Sequence, residues 1–300
     1  MFLSQGNSWP FDESDTQTPL FSSLRAFLEY HCRVGTGITG EGRREIARVL
    51  RAGRAFVTVD VVAGELGTGR IDAARKLARW CRQGWLRRAR RGLYVPVPVE
   101  AENPTAWSQD PLLIAHAAWS PCYFTGWTAA SHWGLTEQVF RTTVVRTAQR
   151  VRVSQQTLLD QEYLVGHVRA GDIWGVVPLW REGQRLQMAD AARTVVDVLD
   201  DPRLAGGIRV AAELVAAYLA DNDPAKLVEC ADRLGNGAVF KRLGYILATM
   251  GLGNADLVEA CRSRIKAGIS MLDPSAAPGG ERIGEWALRL NARLRRENPS

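Results

Sequence analysis

Apolar residues recur at helical spacing in LRAFLEYHCRV (24–34) and GRREIARVLRA (42–52), which predicts two helices. Phe56-Val57-Thr58 then suits a short strand, with Asp60 placed to cap a helix ending near Gly67. Gly67-Thr68-Gly69 supplies a tight turn, and IDAARKLARWCRQG reads as a further helix closed by Gly84. On that helix the spacing groups Ile71, Ala74, Leu77, Ala78 and Cys81 on one face. Arg75, Arg79 and Arg82 form a stripe beside them, flanked by Arg70 and Lys76. WLRRAR, Arg91-Gly92 and LYVPVP follow as a two-stranded hairpin, with Gly92 at the turn. Pro96 and Pro98 suit an edge strand that is ending. Helix, helix, tight turn, basic helix and basic hairpin is the order of a winged helix-turn-helix.

AENPTAWSQDP (101–111) reads as a linker or domain entry. PLLIAHAAW and TGWTAASHWGL look helical, while VFRTTVVRTA and EYLVGHVRAGDIWGVVPLW are rich in the β-branched and aromatic residues of strands. From Ala189 helices dominate: ADAARTVVDVLDD, GGIRVAAELVAAYLA, DPAKLVECADRLG and GAVFKRLGYILATMG. WALRLNARL closes the chain as a final strand. The expected class is α+β. Residues 1–20 form a disordered tail, residues 21–100 a winged helix-turn-helix domain, and residues 101–300 a larger mixed α+β domain.

Charge sharpens this division. The net charge of the 300 residues is +6, yet residues 21–100 hold 16 basic and 7 acidic residues, whereas residues 101–300 hold 22 of each. A positive field confined to one segment is the footprint of a polyanion partner. An α-helix fits the major groove of duplex DNA, and a hairpin wing lies along the neighbouring groove or backbone. Thr68, Arg70, Arg75, Lys76, Arg79 and Arg82 are therefore the candidates on the helix. Arg87, Arg88, Arg90 and Arg91 are the candidates for phosphate contact on the wing. Trp80 and Trp85 are assigned to packing between helix and hairpin rather than to base stacking.

Catalytic patterns are not found. The histidines, His31, His116, His132 and His167, stand far apart without metal-ligand spacing, and no P-loop or GxSxG elbow occurs. Asp197, Asp200 and Asp201 cluster at the end of a predicted helix and read as termination and solvation. The five cysteines include no CxxC pair and read as small buried hydrophobes. No signal peptide or membrane-length apolar run is evident, so a cytoplasmic protein without cofactor or metal is expected.

YFTGWTAASHWGLTEQVFRTTVVRT (123–147), AARTVVDVLDDPRLAGGIRVAAELV (191–215), RLGNGAVFKRLGYILATMGL (233–252) and EWALRLN (285–291), in this order and spacing, resemble the AbiEi family of bacterial abortive-infection antitoxins. The hairpin's RRGLYVPV resembles that family's wing, and the matches together span most of residues 56–291. The resemblance implies a non-enzymatic antitoxin whose winged helix binds repeats in its own promoter and represses the operon. Its second domain would counteract a nucleotidyltransferase-like toxin, with direct contact left open. DNA contact would then fall between Arg70 and Arg82 and between Arg87 and Arg91. Antitoxicity is sought first on exposed residues of the C-terminal helices, with Arg193, Lys241 and Arg242 as candidates, and stabilisation of a helix packing is an equal alternative for Arg242. One winged helix reads few base pairs, so paired repeats imply two copies on DNA. The alternatives are a stand-alone transcription regulator with a ligand- or partner-sensing second domain and a nucleic-acid-processing enzyme such as a nuclease.

Overall fold

The computed structural model describes residues 39–53, 55–98, 101 and 109–294. The predicted tail, the helix at 24–34 and most of the expected linker lie outside these residues.

The first unit begins with helix α1 (Gly40–Gly53), strand β1 (Val57–Thr58), α2 (Val59–Leu66) and α3 (Arg70–Arg82). A hairpin follows, made of β2 (Leu86–Arg90) and β3 (Leu93–Pro96), and β1 joins it in the order β1-β3-β2. Thr58, not Asp60, caps α2: its hydroxyl accepts from the Val61 amide at 3.3 Å. Asp60 sits in the first turn of α2 and pairs instead with Arg70. Gly67 ends α2 at φ +62° and Gly92 turns the hairpin at φ +81°, both in the left-handed region that glycine enters without strain.

Ile46, Val49, Val57, Val62, Ala73, Leu77, Trp80 and Leu86 form the core of this unit. The buried stripe of α3 is therefore Ala73, Leu77 and Trp80, not the one expected. Ile71 is 71% exposed and Ala78 is also outside. The Trp80 indole is buried in one cluster with Leu86 and Tyr94 of the hairpin. Trp80 is fully buried and Trp85 packs against the same cluster, as assigned from sequence.

The second unit opens with α4 (Pro111–Trp119), β4 (Cys122–Phe124), α5 (Gly126–His132), β5 (Thr143–Thr147), β6 (Gln155–Leu158), β7 (Gln161–His167), β8 (Val176–Arg181) and β9 (Gln184–Ala189). The strands form one mixed sheet in the order β6-β7-β5-β4-β9-β8. The β5/β7 and β4/β9 pairs are parallel and the others antiparallel. Adjacent residues on β5 face opposite layers, as the two-residue period requires. Val145 packs with α4, whereas Val144 packs with the helices that follow.

Those helices are α6 (Ala191–Asp200), α7 (Ile208–Asp221), α8 (Pro224–Leu234), α9 (Gly237–Met250) and α10 (Ala255–Arg262). A small sheet of β10 (Ser270–Met271), β11 (Glu281–Ile283) and β12 (Leu288–Leu290) closes against them. Gly244 on α9 admits the Trp286 indole so closely that a Cβ there would lie 2.0 Å from a ring carbon.

The two units meet through the hairpin. Leu93 belongs to the same buried cluster as Leu113, Ala118 and Trp119 of α4, and Phe56 and Ala89 pack at its edge. An Arg87 guanidinium nitrogen lies 2.9 Å from an Asp160 carboxylate oxygen in the β6–β7 turn. Arg90 donates to the carbonyl of Ala118 at the end of α4. Among the described residues no helix is long and apolar enough to cross a membrane.

Candidate nucleic-acid interface

The roll of α3 decides which side chains it offers. Ile71, Arg75, Ala78, Arg79 and Arg82 stand at i, i+4, i+7, i+8 and i+11, one outward stripe opposite the core stripe, and all five are exposed. Arg75 lies 3.1 Å from Asp72 one turn earlier, an exposed pair that water and salt weaken. Arg79 and Arg82 complete the charge in the last turn of the helix.

The other helix candidates point elsewhere. The Lys76 ammonium lies 2.7 Å from both carboxylate oxygens of Glu45 on α1, in a pair that is mostly buried. Its role is to fasten α3 to α1. Arg70 is paired with Asp60 across the α2–α3 turn, and the Thr68 hydroxyl is buried. Sequence spacing placed Arg70 and Lys76 flanking the basic stripe, and partners on α2 and α1 engage both.

The hairpin arginines divide in the same way. Arg88, Arg90 and Arg91 are exposed and Arg87 is half-buried, and Arg87 and Arg90 are occupied with Asp160 and the Ala118 carbonyl. Burial lowers the pKa of Arg90 from its ordinary value. The register shift between Arg88 and Arg90 explains the split. Ala89 lies on the same face as Arg87 and packs against the second unit. Sequence reasoning also passed over Arg43, Arg44, Arg48 and Arg51, which are exposed along α1. Their spacing around buried Ile46 and Val49 was the available signal.

The candidates in the second unit are corrected. Arg193, Lys241 and Arg242 were sought as exposed residues, yet they are 1%, 3% and 4% exposed. The Arg242 guanidinium donates to the carbonyls of Leu199, Asp200, Met271 and Leu272 at 2.7–3.2 Å, tying α6 to the closing segment. Lys241 donates to the Gly268 carbonyl at 2.6 Å. Arg193 pairs with Asp197 at 2.7 Å, donates to the Tyr123 hydroxyl at 3.0 Å and stacks over the Trp174 ring.

Asp197 is likewise not a solvated terminus. It is buried and accepts from Tyr123 at 3.0 Å and Thr125 at 2.8 Å. Burial raises its pKa, opposed by the neighbouring arginines and both hydroxyls. The arrangement joins the sheet to α6 and is closed to solvent. Cys122, Cys230 and Cys261 are buried, and desolvation pushes each thiol up to about 12, which keeps them protonated. Among the described residues no group of three or more His, Cys, Asp or Glu side chains is placed to hold a metal ion.

No protein-family model matches the chain, and no curated protein matches it. In fold, the chain is similar to the crystal structure of the RV2827C protein from Mycobacterium tuberculosis, with a TM-score of 0.60 at 17% identity over 85% of this chain and 92% of that one.

Proposed function

We propose that this protein binds duplex DNA through its first unit, used as a winged helix-turn-helix, and regulates transcription of its own operon. One observation carries the proposal. α3 turns Arg75, Arg79 and Arg82 outward with Ile71, beside a hairpin that exposes Arg88 and Arg91. Arginine forks match the two acceptors of a guanine edge, and an apolar side chain meets the thymine methyl. The exposed hairpin arginines suit phosphates, which fix position without reading sequence. The test is titration of a labelled duplex from upstream of the protein's own coding sequence, against a scrambled duplex, over a range of salt. Equal affinity for both duplexes would sink the regulator.

The second role, as an antitoxin against a nucleotidyltransferase-like partner, rests on the AbiEi resemblance of residues 123–291. Co-expression with the adjacent gene tests it. Rescue of growth by a variant neutralised on α3 is the expected outcome, and failure of the wild type to rescue removes the antitoxin role while leaving DNA binding standing. Incubating the duplex with Mg²⁺ separates both roles from a nuclease, which would cut it.

A further inference from the structure

Electrical neutrality of the second unit as a whole conceals a local imbalance. Between Glu137 and Asp160 the sequence carries Arg141, Arg146, Arg150 and Arg152 and no carboxylate. Arg146 is partly buried and pairs with Asp201 at 3.5 Å. Arg150 and Arg152 are different: both are exposed, and neither makes an ion pair among the described residues. They line a cleft of about 610 Å³ whose other walls include Trp119, Gln149 and Arg90 of the hairpin.

The loop that carries them is anchored at both ends. Gln149 donates from its side chain to the Ser120 carbonyl at 2.6 Å, and its own carbonyl accepts from His167 at 3.0 Å. The Ala148 amide donates to the Pro121 carbonyl at 3.0 Å, and the Val165 amide donates to the Ser154 carbonyl at 2.7 Å. Arg150 and Arg152 are therefore presented from an ordered backbone, so little backbone ordering remains to oppose anion binding. Arg90 links this cleft to the hairpin, because the next residue is the exposed Arg91 of the turn.

We propose that Arg150 and Arg152 form a phosphate-binding extension of the hairpin, so that the second unit grips the backbone of the same duplex that α3 reads. This rests on the DNA-binding function proposed above. Planar guanidinium forks suit phosphate oxygens, and each neutralised phosphate steepens the salt dependence of affinity.

The test uses the full chain with the upstream duplex. The Arg150→Gln/Arg152→Gln variant should reduce the slope of log affinity against log salt by about 1.8, from about 0.9 per phosphate contact. It should also lose protection of backbone sugars at one flank of the hydroxyl-radical footprint. Arg150→Lys/Arg152→Lys, with an unchanged melting curve, should keep most of the slope. An unchanged slope and footprint in the glutamine variant would overturn the extension, while loss of specific binding by Arg75→Ala/Arg79→Ala left the DNA-binding function standing. A reduced slope with an unshortened footprint would also overturn it, because the charges would then act at a distance. Tighter binding of single-stranded RNA than duplex, lost in the glutamine variant, would reassign the cleft. No duplex binding by the wild type would overturn function and extension together.

Discussion

Lys76 on α3 and Glu45 on α1 form a two-pronged contact, with the ammonium 2.7 Å from each carboxylate oxygen. The pair faces inward from the helix whose opposite side offers arginines to solvent. Lys76→Ala should therefore lower stability by about 1 kcal/mol, measured by denaturant unfolding, because it leaves a poorly solvated carboxylate behind. The salt slope of DNA binding should stay unchanged, and a fall by a full phosphate contact would show that Lys76 reaches DNA after all.

Ile71 should distinguish thymine from uracil. If its exposed side chain covers a thymine methyl, substituting deoxyuridine at that position costs about 0.8 kcal/mol, roughly a fourfold loss of affinity. In Ile71→Ala the difference should vanish while the melting temperature hardly moves, since the side chain is 71% exposed. A variant that still separates the two duplexes would relieve Ile71 of this role.

The hairpin arginines should not behave as one group. Arg88→Ala/Arg91→Ala is expected to flatten the salt slope by about 1.8 with equal loss on cognate and scrambled duplexes. Arg87→Ala removes a contact to Asp160 instead. Its main effect should be faster hydrogen exchange along β2 and the β6–β7 turn. Equal salt slopes for the two variants would contradict the division.

Arg242→Met should lower stability by at least about 2 kcal/mol in denaturant unfolding, since buried carbonyls at the end of α6 and before the closing sheet lose their donor. Loss of antitoxicity in such a variant would follow from unfolding rather than from a lost toxin contact. A fully stable Arg242→Met protein would refute the structural assignment.

His116 gives the fold a pH dependence near neutrality. Burial lowers its pKa below the ordinary 6.5, so in mildly acidic solution the unfolded chain binds more protons than the folded one. Its contribution to stability is full above the unfolded value and is lost as pH falls toward the lower folded value. The melting temperature should fall between pH 7 and pH 5, and His116→Gln should flatten that decline. Asp201 and Asp273, whose pKa values are lowered from 3.8, act in a more acidic window. Their burial opposes ionisation. Hydrogen bonds, from Arg203 to Asp201 and from Ser275 and the Ile208 amide to Asp273, outweigh it.

The legible parts of the sequence were those governed by local rules. Gly67, Gly84 and Gly92 take φ of +62°, +80° and +81° and punctuate α2, α3 and the hairpin where the pattern placed them. The helices from α6 to α9 followed their apolar spacing, and β5, β7 and β8 their branched residues. Strands β4, β6 and β9 were missed, being short or mixed in pattern and fixed by pairing across the sheet. Periodicity found an amphipathic α3 but misplaced its core stripe, because alanines lie on several sides and only packing shows where Trp80 must go. Lys76 and Arg193 were read as solvated because a charged side chain is so by default, and partners such as Glu45, Tyr123 and Trp174 stand elsewhere in the chain. For Arg242 the packing alternative is the one the structure bears out. Arg150 and Arg152 were lost in an average over 200 residues.

The hairpin's seat on the second unit has one more consequence. With Leu93 in the cluster of α4 and Asp160 and Ala118 holding its arginines, the hairpin cannot pivot without disturbing the sheet layer beneath. A protein that binds the second unit and displaces α4 must carry the hairpin with it. If the first unit binds duplex DNA as proposed, the affinities for that protein and for the duplex change by the same factor, whichever binds first. On that function, occupancy of the duplex would report the amount of that protein, without any contact between it and DNA.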